Sequence, residues 1–189
     1  NSTSASTQLK GIYGTSSPVA TYQGNQIYNL STSSSNTSTT VSSALSGIVI
    51  SGGTTPMIVT QNTIHSLTAT NTGAGAVNIL GLYYPSPTGS NNVISRNLIH
   101  SLSSASTSPT PVIYGFYQAG GTGTFSNNMI RLGFDAAGNP VNAEHTFYGI
   151  YKGGSSNSLY YHNSVYLGGS GVGSTPNNTF AFYRAAAGV

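Results

Sequence analysis

The sequence predicts an all-β fold, a single-stranded parallel β-helix of about five and a half coils of roughly 34 residues each. Three observations predict it. The 189 residues include 24 glycines and eight prolines but one glutamate and two lysines, a composition that does not sustain helices. Two short motifs alternate along the chain at a nearly constant interval. Apolar residues recur at the same places in every interval, in runs of strand length.

The first motif is a glycine followed by an apolar residue and usually a tyrosine. Its glycines, with an alanine in the last copy, are Gly11, Gly47, Gly81, Gly115, Gly149 and Ala181. They lie 36, 34, 34, 34 and 32 residues apart. The residue two before the glycine and the residue after it are nearly always apolar, which predicts one strand around each copy.

The second motif is an asparagine followed, two residues later, by isoleucine or valine. The asparagines are Asn25, Asn62, Asn97, Asn128 and Asn163. An apolar residue lies three positions before each of them, so each repeat has three strand-length segments. In stacked coils, equivalent residues lie ~4.8 Å apart. The asparagines should therefore form a structural ladder at a corner, where asparagine tolerates a left-handed backbone and its amide can bond to the next one.

Two other repeat architectures have similar periods. Helical solenoids are excluded by the content of Gly, Ser, Thr and Pro. A β-propeller is the closer rival, but its blades need four strands in ~40 residues, and three segments fit three-sided coils better. We expect residues 1–189 to form a single β-helix domain that is a fragment of a longer chain.

The stretch from each asparagine to the next glycine is rich in Ser, Thr, Gly, Pro and Asn. These stretches include residues 31–43, 68–75, 103–111, 135–144 and 168–178. They predict long loops at one corner of every coil. Insertions on one side of a solenoid often form its binding face, and the alternative is a solvated, mobile fringe.

A tyrosine column accompanies the glycines. Its members are Tyr13, Tyr83, Tyr117, Tyr151 and Tyr183, with Val49 in the second copy. Because each follows an inward apolar residue, strand alternation places the tyrosines on the outer surface, as a candidate ladder for stacking against a ligand such as a sugar ring. The alternative is that the rings pack beneath the loops as cross-strand stabilisers.

Charged and metal-binding side chains are too few for the common active sites. Asp135 and Glu144, in one predicted loop, are the only acids, and carbohydrate hydrolysis needs a supported pair. His65 and His100 share a column that points outward, but no third zinc ligand is evident. We therefore expect no enzyme, no cofactor and no metal site. The five scattered Lys and Arg residues do not favour nucleic-acid binding, and no stretch is apolar enough for a membrane span.

Gly-Ile-Tyr followed by Asn-x-Ile-Tyr/His-x-Leu-Ser, with Ser/Thr-rich connections, resembles the repeats of large secreted β-helix proteins of Bacteroidetes-type bacteria. The resemblance extends from Leu9 to Arg184. It implies a right-handed β-helix in an extracellular, surface-attached, adhesin-like protein. It implies little about activity.

These features predict a structural or adhesive segment of a surface protein or filament. Its expected partners are neighbouring coils of a longer chain, or identical subunits end to end. The alternative is a β-helix that binds or processes polysaccharide, with catalytic residues outside this segment. Ice binding is weaker, because no Thr-x-Thr column repeats.

Overall fold

The computed structural model describes residues 3–15, 19–54, 56–85, 87–89, 91–108, 110–141, 145–172 and 178–185. These residues form sixteen β-strands and no helix. Accordingly, this part of the chain has no helical segment with the length and hydropathy to cross a membrane. The all-β class predicted from composition is confirmed.

The strands form three parallel sheets, and successive strands of the chain enter the three sheets in turn. Sheet A contains β1 (Leu9–Gly14), β4 (Leu45–Ile50), β7 (Ile79–Tyr84), β10 (Val112–Gln118), β13 (Thr146–Lys152) and β16 (Thr179–Arg184). Sheet B contains β2 (Ala20–Gln23), β5 (Met57–Thr60), β8 (Val93–Ser95), β11 (Gly123–Ser126) and β14 (Ser158–Tyr161). Sheet C contains β3 (Gln26–Thr32), β6 (Thr63–Ala69), β9 (Leu98–Ser104), β12 (Met129–Leu132) and β15 (Ser164–Leu167). The chain is thus a parallel β-solenoid of about five coils, as predicted.

The register places equivalent residues of successive repeats directly over one another. Ile64 pairs with Ile99 in sheet C, and Val59 pairs with Ile94 in sheet B. In sheet A, one column runs through Ile12, Ile48, Leu82, Phe116, Ile150 and Phe182. The inward columns of the three sheets meet in one continuous hydrophobic core, whose central members are almost completely buried. Each apolar side chain of an inward column therefore packs against the apolar side chains of the same column in the neighbouring coils.

The glycine column is required by the close approach of sheet C to sheet A. A Cβ atom at Gly81 would collide with the carbonyl oxygen of Gly115 and come within 2.7 Å of Cγ2 of Ile99. Comparable collisions, with the branched side chain in sheet C and the carbonyl one coil further on, occur at Gly11, Gly47, Gly115 and Gly149. Ala181, the alanine of the column, is exposed. Packing, and not backbone flexibility, selects glycine here.

The first three strands of sheet C contain an extra residue with a left-handed backbone. Asn29, Ser66 and Ser101 have φ angles of 54°, 55° and 56° and stand between the inward isoleucine and the inward leucine. Strands β12 and β15 have no such residue, so isoleucine or valine is followed by leucine after one residue instead of two. The shorter copies of the second motif are therefore strands without this local bulge.

Candidate functional site

The asparagine ladder is a continuous row of amide hydrogen bonds at the corner between sheets B and C. Oδ1 of Asn97 accepts bonds from the backbone nitrogen and the Nδ2 of Asn62, at 3.1 and 2.9 Å. Nδ2 of Asn97 donates to Oδ1 of Asn128 at 2.9 Å and to the carbonyl of Val59 at 3.0 Å. The same pattern links the row from Asn25 to Asn163. Every polar group of this buried side chain is satisfied, so the ladder is structural.

The left-handed backbone at this corner belongs to the residue before each ladder asparagine. These residues are Gly24, Gln61, Arg96, Asn127 and His162, with φ between 50° and 68°. The expectation that the ladder asparagines themselves adopt this conformation is wrong. Their amides are needed for the ladder, and the chain turns one position earlier.

The predicted tyrosine column lies on the outer side of sheet A, but it is not a continuous exposed row. Tyr13 is 51% exposed, whereas Tyr83 is only 4% exposed. The three later members, Tyr117, Tyr151 and Tyr183, are partly buried. Tyr83 belongs to a second hydrophobic cluster, separate from the main core, against which Val41 of a corner loop packs. The prediction of an exposed ladder is therefore wrong at Tyr83. Its ring is packed, as in the alternative in which the tyrosines lie beneath the loops.

A second outward column adds aromatic rings towards the C-terminal coils. Together the two columns form the aromatic face, which comprises Tyr83, Tyr114, Tyr117, Tyr148, Tyr151, Phe180 and Tyr183. The rings pack on one another: Tyr114 and Tyr148 stack at 5.3 Å, and Tyr148 and Phe180 at 5.4 Å. Because neighbouring rings already cover these ring faces, the arrangement does not favour sugar stacking along this column.

Burial raises the pKa of hydroxyl groups in the middle of the aromatic face. Desolvation, with a smaller effect from Tyr117, raises the pKa of Tyr83 to about 12. Desolvation likewise raises the pKa of Tyr114. These two hydroxyl groups therefore stay neutral at alkaline pH values where an exposed tyrosine begins to ionise.

The Ser/Thr-rich loops lie at one corner, as predicted, but two of them are packed rather than solvated. In residues 32–44, the backbone nitrogen of Ser34 donates to Oγ1 of Thr32, and that of Asn36 donates to Oγ of Ser34. The same alternation occurs in a later loop, at Ser104, Ser106, Ser108 and Thr110. Bonds between coils then join loop to loop; Oγ of Ser106, for example, donates to the carbonyl of Gly75 at 2.6 Å. Hydroxyl groups thus replace the backbone partners that an irregular segment would lack.

The predicted acids form no catalytic pair among the described residues, since Glu144 lies outside them. Oδ1 of Asp135 accepts bonds from the backbone nitrogens of Ala137 and Asn139, at 2.9 and 2.8 Å. The bond from Asn139 is the main cause of the lowered pKa of Asp135. This carboxylate therefore organises its own turn. Across the described ranges, His, Cys, Asp and Glu side chains form no group of three or more that could hold a metal ion.

His65 and His100 belong to a row of side chains along the outer side of sheet C. The register aligns Tyr28, His65, His100, Arg131 and Tyr166. The two imidazole rings stack at 4.9 Å with an interplanar angle of 4°. Nδ1 of each is 2.9 Å from the hydroxyl of the following serine, Ser66 or Ser101. Ser66 and Ser101, which have a left-handed backbone conformation, therefore help to keep the two imidazole rings parallel.

Beside this row lies a shallow groove of about 370 Å³, which we call the sheet C groove. Its walls are Leu98, His100, Met129, Arg131, Ser164 and Tyr166, above Ile130 and Val165. Met129 and Tyr166 are 59% and 58% exposed. The guanidinium carbon of Arg131 lies 4.1 Å from the ring centroid of Phe134, which also stacks with Tyr166. The columns that line the groove can be recognised in the sequence, but the groove itself cannot. The only sequence feature that indicates it is the apolar residue after a ladder asparagine, as at Leu98 and Met129.

The environment of His100 predicts a pH dependence of stability. Burial, with smaller effects from His65 and Arg131, lowers the pKa of His100 below its ordinary value. The unfolded chain then binds more protons than the folded chain near that value, so the free energy of unfolding decreases as the pH falls through about 6.5. Urea titrations at several pH values should show this loss, and His100→Gln should reduce it. An unchanged pH profile in the variant would contradict the assignment.

The inside of the last coils contains a polar network that the sequence did not indicate. Gln118, fully buried, donates from Nε2 to the carbonyl of Gly121 and to Oγ of Ser158, both at 2.8 Å. It also accepts a bond from the hydroxyl of Tyr160. One coil further, Nζ of Lys152 donates to the carbonyls of Gly154 and Ser156. Column neighbours of Gln118 such as Tyr84 predict an apolar position. The polar side chains are accommodated because turn carbonyls, and for Gln118 two hydroxyl groups as well, form hydrogen bonds with them.

We compared the chain with protein-family models, with curated proteins and with solved structures, and none of the three comparisons finds a match.

Proposed function

We propose that this chain is a non-catalytic structural and adhesive segment of an extracellular surface protein or filament. The observation that carries the proposal is the continuity of the inward apolar column of sheet A from the first coil to the last. Ile12 and Phe182 occupy one column, and Phe182 is 47% exposed. In the described residues, β1 pairs only with β4 and β16 only with β13. Both ends therefore offer open strand edges and apolar side chains that suit another coil of the same kind.

The proposed partner at these ends is an equivalent coil, either in a longer chain or in a second copy placed end to end. The ladders support this choice, since a coil with the same columns continues both the core and the asparagine row. Resemblance of the repeats to secreted adhesin-like proteins supports the extracellular location.

Sedimentation velocity over a wide concentration range tests the proposal. We expect reversible association into elongated species, because end-to-end pairing buries Phe182 and pairs the open edges. Phe182→Asp should weaken association at least about tenfold, since it places a charge against an apolar surface. Met129→Asp is the matched control, because Met129 is 59% exposed on the outer side of β12, a strand that pairs with a neighbour on each side. A chain that remains monomeric throughout would contradict end-to-end stacking.

Carbohydrate binding is a second candidate function, and the sheet C groove is the observation that favours it. Exposed Leu98, Met129 and Tyr166 provide an apolar surface, with polar groups at its side. This combination suits sugar rings better than the aromatic face, whose rings cover one another.

A further inference from the structure

The sheet C groove contains a positioned cation without a counter-charge. In the described part of the chain, no ion pair or hydrogen bond engages the guanidinium of Arg131, and the only acid, Asp135, is bound to its own turn. Phe134 holds the guanidinium by a cation–π contact at 4.1 Å. The planar group therefore keeps its donors available in a restricted orientation, which suits bidentate binding of a carboxylate.

A second polar group lies on the same side of the groove. Nδ1 of His100 is engaged by the hydroxyl of Ser101, which leaves Nε2 as the ring nitrogen available to a ligand. Leu98 and Met129 line the other side and are 36% and 59% exposed. A ligand in the groove thus contacts polar groups along one edge and apolar carbon along the other.

The pairing of the strands excludes strand addition in the middle of the groove. Strand β12, in the middle of the groove, pairs with β9 on one side and with β15 on the other. Its backbone donors and acceptors are therefore used within sheet C, and an extended peptide cannot add to β12 through main-chain hydrogen bonds. Recognition over β12 therefore depends on side chains, and the side chains present favour a ligand with carboxylates and apolar ring faces in one repeating unit.

We propose that the sheet C groove binds an acidic polysaccharide built from uronic acid residues, with the Arg131 guanidinium on a carboxylate and the sugar rings against Leu98, Met129 and Tyr166. This inference rests on the second candidate function and names its ligand class. The groove crosses three coils, about 10 Å along the solenoid axis. The carboxylated chain would lie along that axis, and its affinity would depend on salt.

Isothermal titration of the whole chain with oligomers of polygalacturonic acid tests the inference. We expect binding at low salt that weakens as salt is added, and a loss of at least about tenfold in Arg131→Gln. Arg96→Gln is the matched control, because it removes the same charge from an exposed corner residue outside the groove. It should change the affinity less than about twofold. Met129→Ala should also weaken binding, since it removes apolar contact.

Two further ligands distinguish the possible failures. Methyl-esterified oligomers should bind at least about tenfold more weakly, because esterification removes the charge and keeps the sugar. Equal affinity for the esterified oligomers would overturn the acidic-ligand inference and leave carbohydrate binding standing. Equal losses in Arg131→Gln and Arg96→Gln, or tighter binding of poly-glutamate, would overturn the groove as a sugar site. Absence of binding to acidic and to esterified oligomers would overturn both the acidic-ligand inference and carbohydrate binding as a function.

Discussion

Asn97→Asp is expected to destabilise the fold by about 3–5 kcal/mol at pH 7. The substitution preserves the shape of the side chain but replaces its Nδ2 donor by an oxygen. That oxygen would face the carbonyl of Val59 and Oδ1 of Asn128, which Nδ2 now contacts at 3.0 and 2.9 Å. Because position 97 is only 1% exposed, the new carboxylate would also be desolvated without a cation. Urea titration followed by circular dichroism measures the loss.

The effect of Asn97→Asp should decrease as the pH falls. Burial beside two oxygens raises the pKa of the introduced carboxyl above its unfolded value, so the folded variant takes up a proton first and regains stability in acid. Asn25→Asp is the control at the partly buried end of the row, where Asn25 donates along the ladder only to Asn62. Its loss should be about 1 kcal/mol. Equal losses at the two positions would show that the ladder adds nothing beyond a local contact.

Gly81→Ala is expected to destabilise the protein by about 3 kcal/mol, although alanine is the smallest possible addition. The new methyl group would collide with the Gly115 carbonyl and press on Ile99. Relief would require β7 and β10, or sheets A and C, to move apart. Thermal unfolding of the variant and the parent chain measures the difference.

Gly75→Ala is the matched control for Gly81→Ala. A Cβ atom at Gly75 would meet Cγ2 of Thr37 at 3.5 Å and the carbonyl of Ser35 at 3.7 Å, which are ordinary contacts. We expect a change within about 0.5 kcal/mol. If Gly81→Ala were equally mild, the glycine column would not be set by the packing of sheet C on sheet A.

The sequence was sufficient to predict the coil length, the three strands per coil and the asparagine ladder. These features arise because equivalent residues stack on one another, so the same residue types recur at a constant interval. The sequence was insufficient where a side chain packs against or bonds to a residue of another column. Tyr83 is buried in a cluster against which Val41, more than 40 positions earlier in the chain, also packs. Gln118 is satisfied inside the solenoid by turn carbonyls and by Ser158, 40 positions later. Such contacts leave no periodic signal.

The sequence predicted one column of the sheet C groove but not the groove itself, for the same reason. His100 and Arg131 are visible as one column, and their outward orientation follows from strand alternation. Phe134, which orients Arg131, comes from the chain beyond β12, where coil length varies. Where the coil length varies, equivalent positions of successive coils cannot be aligned from the sequence. The contact between Phe134 and Arg131 therefore could not be inferred.

The asparagine row also has a direction. Each amide donates to the asparagine one coil further along the chain, so all the carbonyl dipoles of the row point the same way. Asn25 begins the row as a donor, and Asn163 ends it as an acceptor. Two copies can extend such a row head to tail but not head to head, which would oppose two like ends. Any fibre built from this unit would therefore be polar, with two chemically distinct tips and growth that can differ between them.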